Sequence, residues 1–118
     1  MVWGDHNVFV NNILYNNNNL SGGAAAGAQG GLYAGLANFL DHNLTFDPAG
    51  NSGWDNPAGC CIINNKQVDP LFLSPSGLDW HILTSSPAIG FSNMSYIQTV
   101  DKDSVARGSS PAAGAYQP

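Results

Sequence analysis

Val68-Asp69-Pro70-Leu71-Phe72, then Leu78-Asp79-Trp80-His81-Ile82-Leu83, then Ser85-Ser86-Pro87-Ala88-Ile89-Gly90 follow one another in the second half of the chain. The chain closes on Asp101-Lys102-Asp103, Arg107-Gly108 and Gly114-Ala115-Tyr116. Working outward, short apolar runs recur upstream between Asn- and Gly-rich turns: Val8-Phe9-Val10, Ile13-Leu14-Tyr15, Asn38-Phe39-Leu40, Leu44-Thr45-Phe46 and Cys60-Cys61-Ile62-Ile63. Runs this short, rich in β-branched and aromatic residues and bounded by turn formers, read as strands. No segment carries a sustained 3.6-residue apolar stripe, and Ala24-Ala25-Ala26-Gly27-Ala28 is broken by glycines into a loop.

The order of the closing blocks resembles the C-terminal end of secreted right-handed parallel β-helix proteins of the pectate-lyase-like superfamily. Their tails read DPLF, a short D-x-x-L strand, SPAID-x-G, D-x-x-G-x-x-R and D-I-G-A-Y-E. The resemblance covers residues 60–118. Three acids of that pattern are replaced, since Ser86-Pro87-Ala88-Ile89 is followed by Gly90 and the end reads Ala112-Ala113-Gly114-Ala115-Tyr116-Gln117. The resemblance implies an all-β domain, a short right-handed parallel β-helix of about three to four coils. Coils would fill 1–91, with loops near 16–31 and 47–59, and 92–118 would form a C-terminal cap. It also implies a secreted or extracellular protein that meets polysaccharide.

Asparagine gives this fold a physical basis. It tolerates the left-handed backbone that a tight corner needs, and stacked asparagines can hydrogen-bond from coil to coil. Asp5-His6-Asn7-Val8-Phe9-Val10 echoes Asp41-His42-Asn43-Leu44-Thr45-Phe46, and Asn11-Asn12 echoes Asn64-Asn65. The N-terminal run has no visible cap, and an open solenoid end is an unpaired sheet edge. The expectation is therefore a homo-oligomer closed through Val8, Val10, Ile13 and Tyr15, or a chain that begins mid-solenoid. Met1-Val2-Trp3-Gly4-Asp5 has no signal-peptide character, which fits a mature or truncated start.

Charge narrows the function. Three Lys and Arg stand against eight acids, all Asp, for a net charge of −5. Binding nucleic acid means neutralising several phosphates, so a nucleic-acid partner is not expected. Polyanionic glycans are disfavoured for the same reason, which leaves neutral polysaccharide. No apolar run is long enough to cross a membrane as a helix. Cys60 and Cys61 are adjacent, unsuited to an ordinary disulfide, and on a strand would point to opposite faces.

Candidate chemistry is sparse. Asp41-His42 and Asp5-His6 are the acid–base candidates for a hydrolase, with a site assembled between coils or subunits, because neighbours on a strand point apart. A glycoside hydrolase needs two carboxyls across a groove, for instance Asp41 with Asp5 or Asp69. A lyase is poorly supplied with cations. Trp54, Asp55 and Trp80 are the candidate sugar-binding residues, with Trp3, Tyr15, Tyr33 and Tyr96 as further platforms. Calcium is the only cofactor considered, at Asp101 and Asp103 or at Asp47 and Asp55, and no metal site is assigned. Asp103 is expected to pair with Arg107, and His81 to be packed or solvated. A purely structural, assembling solenoid unit is the alternative.

Overall fold

The computed structural model describes residues 5–17, 28–31, 37–48, 53–55 and 61–118, with side chains left aside at 28–31, 53–55 and 61–62. The described residues are strand-rich, and their only helices are the single 3-10 turns Pro75–Gly77 and Met94–Tyr96, an all-β fold. Strands β1 (Val8–Val10), β2 (Ile13–Tyr15), β3 (Ala28–Gly31), β4 (Phe39–Asp41), β5 (Leu44–Phe46), β6 (Gly53–Asp55), β7 (Cys61–Ile63) and β8 (Lys66–Gln67) form small parallel sheets. Their orders are β1-β4-β7, β2-β5-β8 and β3-β6. Strands β9 (Phe72–Ser74) and β10 (Asp79–Ile82) make an antiparallel hairpin.

A two-residue corner joins each first-sheet strand to its second-sheet successor: Asn11-Asn12, His42-Asn43 and Asn64-Asn65. The leading residue is left-handed each time, with φ of 61° at Asn11, 51° at His42 and 51° at Asn64. The trailing asparagines form a ladder. The backbone N–H and Nδ2 of Asn12 donate to Asn43 Oδ1 at 2.9 and 3.0 Å, and those of Asn43 donate to Asn65 Oδ1 at 2.7 and 2.9 Å. Asn43 Nδ2 also donates to Phe9 O at 2.9 Å. Asn7 repeats the arrangement one strand-end away, donating to Asn38 Oδ1 at 2.8 and 2.9 Å. Asn38 and Asn43 are 1% and 0% exposed, so these amides stand in for the backbone bonds a buried corner would otherwise lack.

Leu44, Ile82, Ala88, Ala112 and Ala113 form the buried core, with Ile13, Val68, Phe72, Ile89 and Phe91 packed around it. Much of this core lies between the outer face of β2 and β5, the hairpin, and the tail after Phe91. The tail has no regular strand. It runs back along the rows to the first corner, where Asn93 N–H donates to Asn11 Oδ1 at 2.7 Å and Gly114 N–H to Asn11 O at 2.8 Å. Gly114 has φ +92°, and an added Cβ would lie 2.7 Å from Ile13 Cδ1, so only glycine fits this approach. Arg107, 7% exposed, ties the tail to itself by donating to Ala112 O and Gly114 O at 2.7 Å each.

Three expectations change here. The regions near 16–31 and 47–59, read as loops, contain the paired strands β3 and β6; glycine-rich sequence hid them, because their pairing rests on backbone bonds. The echo of Asp5–Val10 in Asp41–Phe46 is not the spatial register. Val8 lies beside Phe39 and Val10 beside Asp41, because corner follows corner, with His42 taking an asparagine's place. Ile13 and Tyr15 have neighbours within the chain: Gly114 approaches the first, and Phe72 and Trp80 pack on the second. Asp103 does not pair with Arg107, whose guanidinium faces backbone carbonyls.

Candidate functional site

Strand alternation puts Ile13 and Tyr15 on one face of β2, and the hairpin and tail rise on either side of it. Between them lies a groove of 530 Å3 bordered by Asn11, Asn12, Ile13, Tyr15, Asn17, Phe72, Trp80 and Gly114–Tyr116. Not one of these side chains is charged. Trp80, 38% exposed, meets Phe72 edge-on at 5.2 Å and Tyr15 at 6.0 Å. Tyr15 meets Phe72 edge-on at 5.2 Å and Phe46 at 5.9 Å. Edge-to-face packing of this kind holds rings in place without a ligand. The groove thus offers fixed aromatic surface beside side-chain amides, of which Asn11 and Asn12 already donate to Asn93, Tyr96, Val10 and Asn43.

Asp41 lies at the end of β4, 1% exposed. Burial pushes its carboxyl up, but donors outweigh it: Asn93 Nδ2 at 2.6 Å, His42 Nδ1 at 2.7 Å and Asn64 Nδ2 at 2.9 Å hold it below the usual aspartate value. The His42 contact has the distance of a hydrogen bond but not its alignment. The two neighbours meet because His42 is in the left-handed corner and not on the strand, which corrects the expectation that they point apart. The His42 ring lies 5.1 Å from Phe91, which Lys66 Nζ covers from 3.9 Å. Asp41 therefore ties a corner residue, the next row and the tail together.

A second histidine cluster was not anticipated from sequence. His81 on β10 places Nδ1 2.5 Å from Asp79 Oδ1 and Nε2 2.7 Å from Asp103 Oδ2 in the tail. Hydrogen bonds to Asp79 and then to Asp103 raise the His81 pKa, and the His81 contacts lower that of Asp79. The His81 ring stacks on Tyr116 at 4.3 Å, and Lys102 Nζ lies 5.4 Å from the same ring. Beside it, Asp101 accepts from Gln117 N–H at 2.8 Å and from the N–H groups of Val105 and Asp103 at 2.8 Å each; these bonds lower its pKa. Its carboxylate is thereby occupied as a turn anchor.

Among the sequence candidates, Asp41 and His42 come together. Asp5 and His6 do not join them. They precede β1, whose other end, Val10, is the one that lies beside Asp41. Asp69 is a turn residue that accepts from Leu71 N–H at 2.8 Å. Trp80 and Tyr15 line the groove, while Tyr96 packs on Phe39 at 6.1 Å. Trp54 and Asp55 lie on β6, and their side chains fall outside the description, as do Cys60, Cys61, Trp3 and Tyr33. Phe72 and Tyr116 complete the groove and were missed as site residues. The signal for them was positional: Phe72 closes the DPLF block, and Tyr116 closes the Gly114-Ala115-Tyr116 block. Among the described residues no group of three or more His, Cys, Asp or Glu is arranged to hold a metal ion. Comparison with protein-family models, with curated proteins and with solved structures finds no match to this chain.

Proposed function

We propose that the parallel rows are coils of a short right-handed parallel β-helix of the pectate-lyase-like kind, and that the molecule is a carbohydrate module binding neutral polysaccharide in the Trp80 groove. The right hand follows from the strong preference of parallel crossovers for it. The observation that carries the binding reading is the groove's composition: Tyr15, Phe72, Trp80 and Tyr116 beside Asn11, Asn12 and Asn17, with no charge among the lining side chains. The C–H faces of a pyranose pack on aromatic rings, and its hydroxyls exchange hydrogen bonds with amides. A neutral lining in a chain of net charge −5 favours a ligand without carboxylates or sulfates. Secretion is in keeping with such a ligand.

The test is calorimetric titration with β-1,4-linked hexaoses of glucose, xylose and mannose. One of them binds, and Trp80→Ala weakens it by about tenfold, as loss of a central aromatic contact does. No binding to any of the three, or binding indifferent to Trp80, overturns the reading. Release of reducing ends in the same samples would add hydrolysis to binding, and loss of that release in Asp41→Asn or His42→Gln would assign it to those residues.

A second reading, assembly of copies end to end, is favoured by the polarity of the asparagine ladder. At one end Asn12 Oδ1 accepts no hydrogen bond, and at the other the backbone N–H of Asn65 donates none, among the described residues. Head-to-tail stacking brings donor to acceptor, whereas a twofold pairing of like ends brings acceptor to acceptor. Light scattering decides it: mass that grows with concentration in the native chain, and not in Asn12→Lys, supports stacking. A monomer at all concentrations ends that reading.

A further inference from the structure

His81 touches a carboxylate oxygen with each ring nitrogen, at 2.5 and 2.7 Å. A neutral imidazole carries one N–H and one lone pair. It can satisfy one of these carboxylates, but against the other its lone pair faces an acceptor. Only the imidazolium donates to both, so the geometry is that of a doubly protonated ring. The two acids come from different parts of the fold. Asp79 is on β10, two residues before His81, and Asp103 belongs to the turn at 101–104 in the tail. The charged ring therefore fastens the tail to the hairpin.

That fastening stands at the groove. Tyr116 forms part of its wall, and the other face of its surroundings is the His81 ring at 4.3 Å. Lys102, next to Asp103, donates its backbone N–H to Ala115 O at 2.9 Å and holds its ammonium 5.4 Å from the Tyr116 ring. Asp101 and Arg107 anchor the same turn from the tail side. We propose that His81 is the positioning residue of the groove: as an imidazolium it holds the Asp103 turn against β10 and sets Tyr116 as the wall, so ligand binding weakens when the ring gives up its second proton.

The raised pKa of His81 gives the sign. A histidine with a raised folded-state pKa contributes fully below its unfolded value of about 6.5 and loses that contribution as pH rises through the folded value. Affinity is thus highest under mildly acidic conditions and declines on the alkaline side. Asp103→Asn is the informative variant. Its amide can donate to or accept from Nε2, so a neutral ring is tolerated and the pH dependence flattens.

The ligand consequence rests on the glycan reading above, so two readouts are taken together. Proton NMR follows the His81 ring titration and its Overhauser contacts to Tyr116 in the full chain without sugar, and titration with the β-1,4-glucose hexaose follows affinity over the same pH range. The expected result is loss of the His81–Tyr116 contacts through the titration and an affinity about threefold lower above it, the size of an exposed ion pair, with Asp103→Asn nearly flat in both. Contacts that persist unchanged through deprotonation overturn the proposal, as does an affinity that ignores the titration. Loss of the contacts with none of the glucose, xylose and mannose hexaoses bound at any pH overturns the glycan reading instead and leaves the positioning role standing.

Discussion

The asparagine corners and the tail both cross from one part of the chain to another, yet they are held by opposite kinds of contact. The corners use neutral amides, buried and mutually satisfied: Asn43 alone accepts from two donors and gives to two acceptors. The tail shares neutral bonds with Asn11 through Asn93 and Gly114 and adds ionisable groups: Asp41 to Asn93, His81 to Asp103, and Asp101 to Gln117. Amides do not titrate, so the asparagine ladder keeps its bonds across the pH range, whereas the tail's ionic contacts vary with protonation. The groove sits where the two meet, with Asn11 and Asn12 from the corners on one side and Tyr116 from the tail on the other. A permanent scaffold and an adjustable wall are the consequence.

The sharpest way to break this comparison is at Asn43. Replacing it by Ala removes the acceptor of the Asn12 backbone N–H and Nδ2 and a donor to Phe9 O at a fully buried side chain, while Asn65 Oδ1 keeps the backbone N–H of residue 43; the expected loss is about 3 kcal/mol, equal at pH 5 and pH 8, by urea denaturation. A loss that varies with pH would contradict a neutral ladder. Asp41→Ala comes next, at about 2 kcal/mol, from the unpaired Asn64 and Asn93 amides. Because the Asp41 pKa is lowered, its contribution is present above the unfolded aspartate value and is lost as pH falls through the folded one. Native and variant stabilities should therefore converge in acid. Gly114→Ala follows, at about 1–2 kcal/mol, from a positive φ and the Ile13 clash; trimming the clash with Ile13→Val should recover part of the loss. His81→Gln has the smallest effect on stability, and its signature is a flatter stability-versus-pH curve on the alkaline side.

How much of this was legible differs between the same two regions. Asn11-Asn12 and Asn64-Asn65 announced their corners because each follows an apolar triplet. His42-Asn43 did not, since histidine replaces the leading asparagine and the offsets between rows are unequal, 31 residues from Asn12 to Asn43 and 22 from Asn43 to Asn65. An uneven period defeats a repeat read by eye. One clue remained: Asp47-Pro48 and Asp69-Pro70 share that 22-residue offset and mark the same register. The tail's path was partly legible through its glycines, while its ionic partners were not. His81 and Asp103 are also separated by 22 residues, and nothing in either neighbourhood names the other. Asp103 stood beside the chain's few cations, so the nearer Arg107 looked like its partner until buried carbonyls claimed that guanidinium. β3 escaped notice because a strand of Ala, Gln and Gly has no side-chain pattern to read, and β6 because Gly53-Trp54-Asp55 stands among turn formers.

Amide hydrogen exchange, compared as protection factors below and above the His81 titration, tests the division most directly. The N–H groups of Asn12 and Asn43, bonded to ladder amides, are expected to keep their protection at both pH values, while Lys102 N–H, bonded to Ala115 O beside Tyr116, loses much of its own above the titration. Ladder amides that open together with the tail, or a Lys102 amide equally protected on both sides, would contradict a fixed scaffold carrying an adjustable wall.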